Sequence, residues 1–227
     1  MKIIALIAQK GGTGKTTLAL ALAVAAQRSK LSSCLIDLDP QATASKWGDR
    51  REDESPVIVS AQAARLPNFL KTAAGNGADL VILDTPPRVE QAALAAAKVA
   101  DLILIPCLPA INDLETLATT VELIRFAGQH QTLVVLNGIP PRGTRREQAE
   151  HVIRDMSMEV CPVSNGYRTA FPDAAALGLT AQEYDPGSKA AGEIQQLYKF
   201  VSKLINSRKS KEVNSDAPEA GFAAGNA

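Results

Sequence analysis

Lys10-Gly11-Gly12-Thr13-Gly14-Lys15-Thr16-Thr17 combines residue types that do chemistry at a spacing that lets them do it together. Glycine accepts backbone torsions closed to other residues, so a glycine-rich turn can point its N–H groups at an anion. A helix that starts at the end of such a turn adds its positive N-terminal end. In that setting Lys15 is placed to reach the β- and γ-phosphates of a nucleotide, and the Thr16 hydroxyl to ligate Mg²⁺. The commoner phosphate-loop spacing would need glycine at position 9, where this chain has Gln9. A dinucleotide loop, G-x-G-x-x-G, fails at Thr17.

Two further segments carry carboxylates. Cys34-Leu35-Ile36-Asp37-Leu38-Asp39-Pro40-Gln41 ends an apolar run with two acids. Residues i and i+2 of a strand share a face, and a strand tip before proline can fan both toward a ligand. An acid about 20 residues past a glycine loop binds ribose in dinucleotide folds, although Lys15-Thr16 argues against that use here. Asp39 before Pro40 also fits a helix N-cap. Leu80–Leu83 is a third apolar run, closed by Asp84-Thr85-Pro86-Pro87. A carboxylate there is placed to hold Mg²⁺ through water, across from Thr16.

The elements that must position these groups are legible in the hydropathy. Apolar runs recur at Ile3–Ala8, Cys34–Leu38, Val57–Val59, Leu80–Leu83, Leu102–Ile105, Leu133–Leu136 and Val160–Val163. Most are continuous rather than alternating, as in strands buried on both faces. Between them helical spacing appears at Thr16–Arg28, Ala61–Ala74, Val89–Lys98, Leu114–Gly128 and Arg145–Met156, and again at Ser188–Asn206. Strand–helix alternation implies right-handed crossovers. The expected fold is therefore α/β: one P-loop domain over residues 1–206, with a mostly parallel twisted sheet and helices on both faces. Residues 207–227 lack periodicity and are expected to form a disordered tail.

Composition narrows the function classes. The chain has 227 residues, 46% hydrophobic and 21% charged, which suits a single globular domain with a large core. Twenty-four basic residues balance 24 acidic ones, which excludes polyanion binding through bulk charge and leaves room for a local basic patch. Cys34, Cys107 and Cys161 form no C-x-x-C pair and read as reduced core thiols, so no zinc ribbon or cluster cradle is indicated. Met1–Ala8 lacks a cleavage pattern after its apolar run, and Leu18–Ala26 has about half the length of a membrane span. A soluble, cytoplasmic protein is expected.

The variant loop KGGTGKTT resembles the deviant Walker A box of the ParA/MinD family of ATPases. The resemblance extends to Asp37-Leu38-Asp39-Pro40-Gln41 and Asp84-Thr85-Pro86-Pro87, and in fragments to Leu102–Asp113, Leu133–Asn137 and Tyr184–Glu193, covering about residues 1–205. It implies ATP and Mg²⁺ as cofactors, held by residues 10–17: Lys10, Gly11, Gly12, Thr13, Gly14, Lys15, Thr16 and Thr17. It implies that Lys10 crosses a homodimer interface to the partner's nucleotide, as an arginine finger does. Asp39 would position the attacking water and Asp37 would lie near the metal and its water shell. Thr16 and Asp84 would hold the metal, and Asn137 would lie near the adenine. Lys10, Lys15 and Asp39 are thus the candidate catalytic groups.

Within that family the short chain and the D-x-D-P-Q and DTPP segments resemble small partition ATPases. The loop begins at residue 10, which leaves no room in this sequence for an upstream helix-turn-helix domain. Resemblance then implies slow ATP hydrolysis, a ParB-type centromere-binding protein as stimulating partner, nonspecific DNA binding by the ATP dimer, and nucleoid association. Ser188–Lys211 carries six basic residues against Glu193 alone, and Arg168, Lys189 and Lys203 are the candidate DNA contacts. The alternative is a MinD-like spatial regulator acting at a membrane or on another protein machine. Ile194–Ile205 is amphipathic, but a helix packed on the sheet gives the same pattern, so a membrane partner is disfavoured.

Overall fold

The computed structural model describes residues 1–128 and 130–215, the last eight by backbone alone. Six strands form one sheet: β1 (Lys2–Leu6), β2 (Ser33–Asp37), β3 (Val57–Ser60), β4 (Leu80–Asp84), β5 (Leu102–Cys107) and β6 (Thr132–Leu136). All neighbours pair in parallel, in the order β3-β2-β4-β1-β5-β6. Parallel pairing requires a crossover after each strand, and helices supply it. These are α1 (Lys15–Arg28), α2 (Thr43–Gly48), α3 (Leu66–Gly75), α4 (Glu90–Val99), α5 (Ile111–Ala127), α6 (Arg145–Asp155), α7 (Ala170–Ala176), α8 (Ala181–Tyr184) and α9 (Lys189–Ser215).

Alternate side chains of each strand feed two cores. Ile4, Leu6, Leu35, Ile82, Leu104 and Val135 face α1 and α9. Ala5, Ile36, Val81, Leu83, Ile103 and Val134 face α3, α4, α5 and α6. Burying one such Leu or Ile contributes roughly 1.5–3 kcal/mol relative to leaving it exposed. Helix α1 is buried continuously from Leu18 to Ala26 because the sheet covers one side and α9 the other. Its alanines allow that close double packing. The apolar face of α9, Ile194, Leu197, Val201 and Ile205, is at most 5% exposed, so the amphipathic pattern there is spent on the core. No helix among the described residues is long and apolar enough to cross a membrane.

Three departures from the sequence expectation have local causes. Val160–Val163 forms only an isolated bridge to β6. The carbonyl of Leu136 takes its hydrogen bond from the Asn165 N–H, so the chain bulges around Pro162 before pairing resumes between Ile139 and Gly166. Helix α9 continues to Ser215, past the boundary expected at 206, and the remainder of the expected tail, residues 216–227, lies outside the described residues. The short helices α2, α7 and α8 carry too few turns for a periodic signal. α2 is held by Asp37, and α8 by a capping box between Thr180 and Glu183.

Candidate functional site

The register of the sheet assembles the site. Asp37 and Asp84 are direct partners across β2 and β4, and Leu6 is level with Asp84 across β4 and β1. The C-terminal ends of three adjacent strands thus meet where β1 enters the glycine loop, the usual ligand edge of an open parallel sheet. Thr85 ties this edge together by donating from its hydroxyl to the Leu6 carbonyl at 2.8 Å.

Gly12 and Gly14 take φ of +79° and +95°, torsions that L side chains rarely adopt. Gly14 is also the N-cap of α1, and a Cβ there would lie 2.8 Å from the Asn137 amide nitrogen. With no capping side chain, the first-turn N–H groups of α1 are left for an anion. Lys15 is 6% exposed, and its ammonium donates to the Lys10 carbonyl at 3.0 Å, folding back across the loop. Burial pushes its pKa down, while the carboxylates of Asp84 and Asp39 hold it up. The Thr13 hydroxyl is buried without a partner.

Asp84 is 1% exposed and neither of its oxygens has a hydrogen-bond partner. Its pKa is raised to about 7, chiefly by burial and further by the charges of Asp37 and Asp39, with the Thr16 hydroxyl and the Lys15 ammonium holding back part of the rise. An orphaned buried carboxylate of this kind fits a cation. Among the described residues no cluster of three His, Cys, Asp or Glu could hold a metal by itself. One or two carboxylates plus substrate phosphates is how Mg²⁺ is ordinarily bound.

Asp37 is equally buried but differently used. Its Oδ1 accepts from the Asp39 N–H at 3.0 Å, and its Oδ2 from Ala44 and Ser45 at 3.0 and 3.2 Å. Burial raises its pKa, and these three amides pull it back. Asp39 is half-exposed at the strand tip, its Oδ1 accepting from the Gln41 N–H at 2.9 Å. Capping of α2 therefore belongs to Asp37, whereas the Asp39-Pro40 sequence suggested Asp39 for that task.

Lys10 reaches away from the loop to Asp113 on the first turn of α5, at 2.5 Å, with Asp113 buried and Lys10 one-third exposed. On the other side a cavity of about 280 Å³ opens between the loop and the β6 end, lined by Gly12, Gly14, Leu108, Asn137, Asn165 and Arg168 among others. Asn137 donates to the Thr13 carbonyl at 2.9 Å and accepts from Asn165 at 2.8 Å. Arg168, expected as a surface cation, is paired with Glu193 at 2.6 Å, and Glu193 also accepts from the Gly166 N–H. Lys189 and Lys203 are exposed on α9. Asn165 carries no local motif, and Asp113 and Glu193 stand at the ends of resembling segments that named no partner for them. Only the fold brings them here.

The family profile described as CobQ/CobB/MinD/ParA nucleotide binding domain matches residues 4–214. The chain is 31% identical over 208 residues to the maintenance of carboxysome distribution protein A of Gloeobacter kilaueensis, covering 90% of this chain and 94% of that one. It is 33% identical over 165 residues to the chromosome-partitioning ATPase Soj of Thermus thermophilus, covering 59% and 66% respectively. Its fold matches the septum site-determining protein MinD of Pyrococcus horikoshii, solved with Mg-ADP, at a TM-score of 0.74 and 22% identity over 89% of this chain and 96% of that one. A profile that spans nearly the whole chain, and a relative matched along nearly all its length, place this protein in the CobQ/CobB/MinD/ParA family of nucleotide-binding domains.

Proposed function

We propose that this protein is a partition ATPase: it binds ATP with Mg²⁺, closes into a nucleotide-sandwich homodimer that binds DNA without sequence preference, and hydrolyses ATP slowly. The observation that carries the reading is the buried, orphaned Asp84 carboxylate facing the uncapped start of α1 and the buried Lys15. A Mg²⁺–triphosphate fits these groups, its cation matching the Asp84 carboxylate and its phosphates the start of α1 and Lys15. Thr16 and Asp84 are the groups to hold Mg²⁺, with Asp37 beside them. The ion's contribution when bound is to neutralise charge on the β- and γ-phosphates.

The chain's own residues divide the remaining work. The loop amides and Lys15 hold the phosphates, and Asp39, at the half-exposed strand tip, orients the attacking water. Lys10 lies at the open side of the loop, and to reach a partner's nucleotide it must leave Asp113. This dependence on a second subunit makes hydrolysis slow until a stimulating protein, of the ParB centromere-binding type, favours the reacting arrangement.

DNA binding is assigned to α9. At ~100° per residue, Lys189, Lys199 and Lys203 fall within about 80° of arc, and all three are exposed. A homodimer presents two such stripes. Arg168 is engaged by Glu193 and contributes less to that surface. The named relative in carboxysome distribution favours a second reading, in which the same ATPase positions a protein body. A surface-binding titration with arbitrary duplex DNA tests the first. Binding with ATP, none with ADP, and a log-affinity falling by ~0.9 per phosphate contacted for each decade of salt are expected. ATP-dependent dimers with no DNA affinity would favour the second.

A further inference from the structure

Arg88 stands apart from its neighbours in backbone and in partners. Its φ is +57°, a left-handed torsion that costs a non-glycine residue free energy. Such torsions persist only where the surroundings over-determine them, and they gather at ligand sites and switch segments. The segment leading to Arg88 is braced accordingly. Thr85 is tied to the Leu6 carbonyl at 2.8 Å, and the rings of Pro86 and Pro87 fix their own φ. Pro87 also lies against the phosphate loop, where a Cβ on Gly11 would meet its ring at 4.0 Å. The buried Asp84 and the backbone of Arg88 are thus two ends of one stiff segment.

The Arg88 side chain is half-buried and lies outside its own subunit's phosphate cradle. It lines a groove of about 860 Å³ between α4 and α5, together with Lys10, Glu90, Asn112, Glu115 and Glu122. It does not line the cavity bounded by Gly12, Gly14 and Asn137 on the other side of the loop. Three glutamates share the groove with it, yet among the described residues Arg88 forms no ion pair with any of them. Lys10, at the same end of the groove, is held by the buried Asp113. Two cations therefore flank the open side of the loop, one paired and one not.

Resting on the dimeric ATPase reading above, we infer that Arg88 is a second trans-acting cation. In the dimer it passes with Lys10 to the partner's triphosphate and donates to the oxygens of its terminal phosphate. A guanidinium suits the task because its planar fork spans two phosphate oxygens and keeps its charge. In hydrolysis water adds to the γ-phosphorus, the bond to the β–γ bridging oxygen breaks, and ADP, inorganic phosphate and a proton result. Arg88 exchanges no proton in this step and holds charge on the phosphoryl oxygens.

Complementation between two defective subunits tests the inference. Arg88→Asn removes the charge and keeps a residue that tolerates the left-handed torsion. Arg88→Gly is the second variant should Asn prevent folding. With the full chain and Mg²⁺, the variant is expected to bind ATP as the wild type does and to lose turnover by at least ~10²-fold, as when one transition-state donor is removed. It is then mixed in equal amounts with Asp39→Ala before ATP is added. Half of the dimers are mixed and each holds one complete site, so about a quarter of wild-type turnover should return. A parallel mixture of Lys10→Ala with Asp39→Ala is the control. Recovery in the control without recovery for Arg88 would overturn the inference and leave the dimeric reading standing. Wild-type turnover by the Arg88 variant, or a loss of its ATP affinity, would overturn the inference too. Recovery in neither mixture would overturn the shared-site reading itself.

Discussion

Asp84 and Lys15 set the chemistry of this site at the level of single side chains. In water a carboxylate and an ammonium are both charged at neutral pH. Here burial moves the first up to about 7 and the second down. On the proposed reading, binding Mg²⁺–nucleotide requires the charged form of Asp84, so below neutrality each binding event should release a proton. Calorimetry at pH 6.5 in buffers of different ionisation enthalpy measures that release, which Asp84→Asn should abolish. The stability of the nucleotide-free protein follows the same group. The folded state holds a proton that the unfolded chain, with an ordinary carboxylate near 4, has already lost, so this contribution falls as pH rises from about 4 through 7. Thermal melts from pH 5 to 8 should show the decline, and Asp84→Asn should flatten it. For Lys15→Ala, removal of a charge-assisted contact to phosphate predicts at least ~100-fold weaker nucleotide binding, about 3 kcal/mol. Unchanged ATP affinity in that variant would sink the phosphate-loop assignment.

At the scale of elements, α2 and α9 are the informative cases. α2 is six residues long, begins after Ala42 in a left-handed torsion, and has no capping side chain of its own. Asp37 on β2 supplies the missing acceptor to Ala44 and Ser45. Asp37→Ala should therefore leave buried amides unpaired and destabilise the fold by about 1–3 kcal/mol, read by urea titration of Trp47 fluorescence. Trp47 sits on α2, is 2% exposed, and donates to the Leu179 carbonyl at 3.0 Å. For α9, the double variant Lys189→Glu, Lys203→Glu should weaken DNA binding by more than ~10-fold and reduce the salt slope by about 2 per subunit, with ATP affinity unchanged. An unaltered slope would move the DNA surface elsewhere.

The whole molecule matters because the proposed reaction is shared between two copies. Lys10 is held within its own subunit by Asp113, at the open side of the loop. Light scattering should show the mass doubling with ATP and Mg²⁺ and reverting with ADP. Lys10→Ala should bind ATP and lose turnover by ~10³-fold or more, the range seen when a trans-acting cation is removed from phosphoryl transfer. Asp39→Ala should accumulate the dimer. A Lys10→Ala protein with normal turnover would show that each subunit hydrolyses alone.

Much of this organisation is present in the order of residues. The continuous apolar runs of β1, β2, β4, β5 and β6 could only be satisfied by burial on both faces, and the glycines, Lys15, Thr16 and Asp84 carry their chemistry in their types and spacing. Those are local properties, set by backbone torsion, helix polarity and strand periodicity. Tertiary structure decided which groups remain open and which are used up. Asp37 and Asp39 stand two residues apart with the same carboxylate. β2–β4 register and the placement of α2 make the first a buried cap and leave the second half-exposed. Arg168 reads as a surface cation until α9 brings Glu193 to it across 25 positions. Asn165 reads as a loop residue until the bulge past Pro162 seats it against Asn137, 28 positions away. Hydrogen-bond satisfaction in a buried site depends on partners far along the chain, and a sequence pattern that encodes the elements does not by itself encode which of their polar ends will meet.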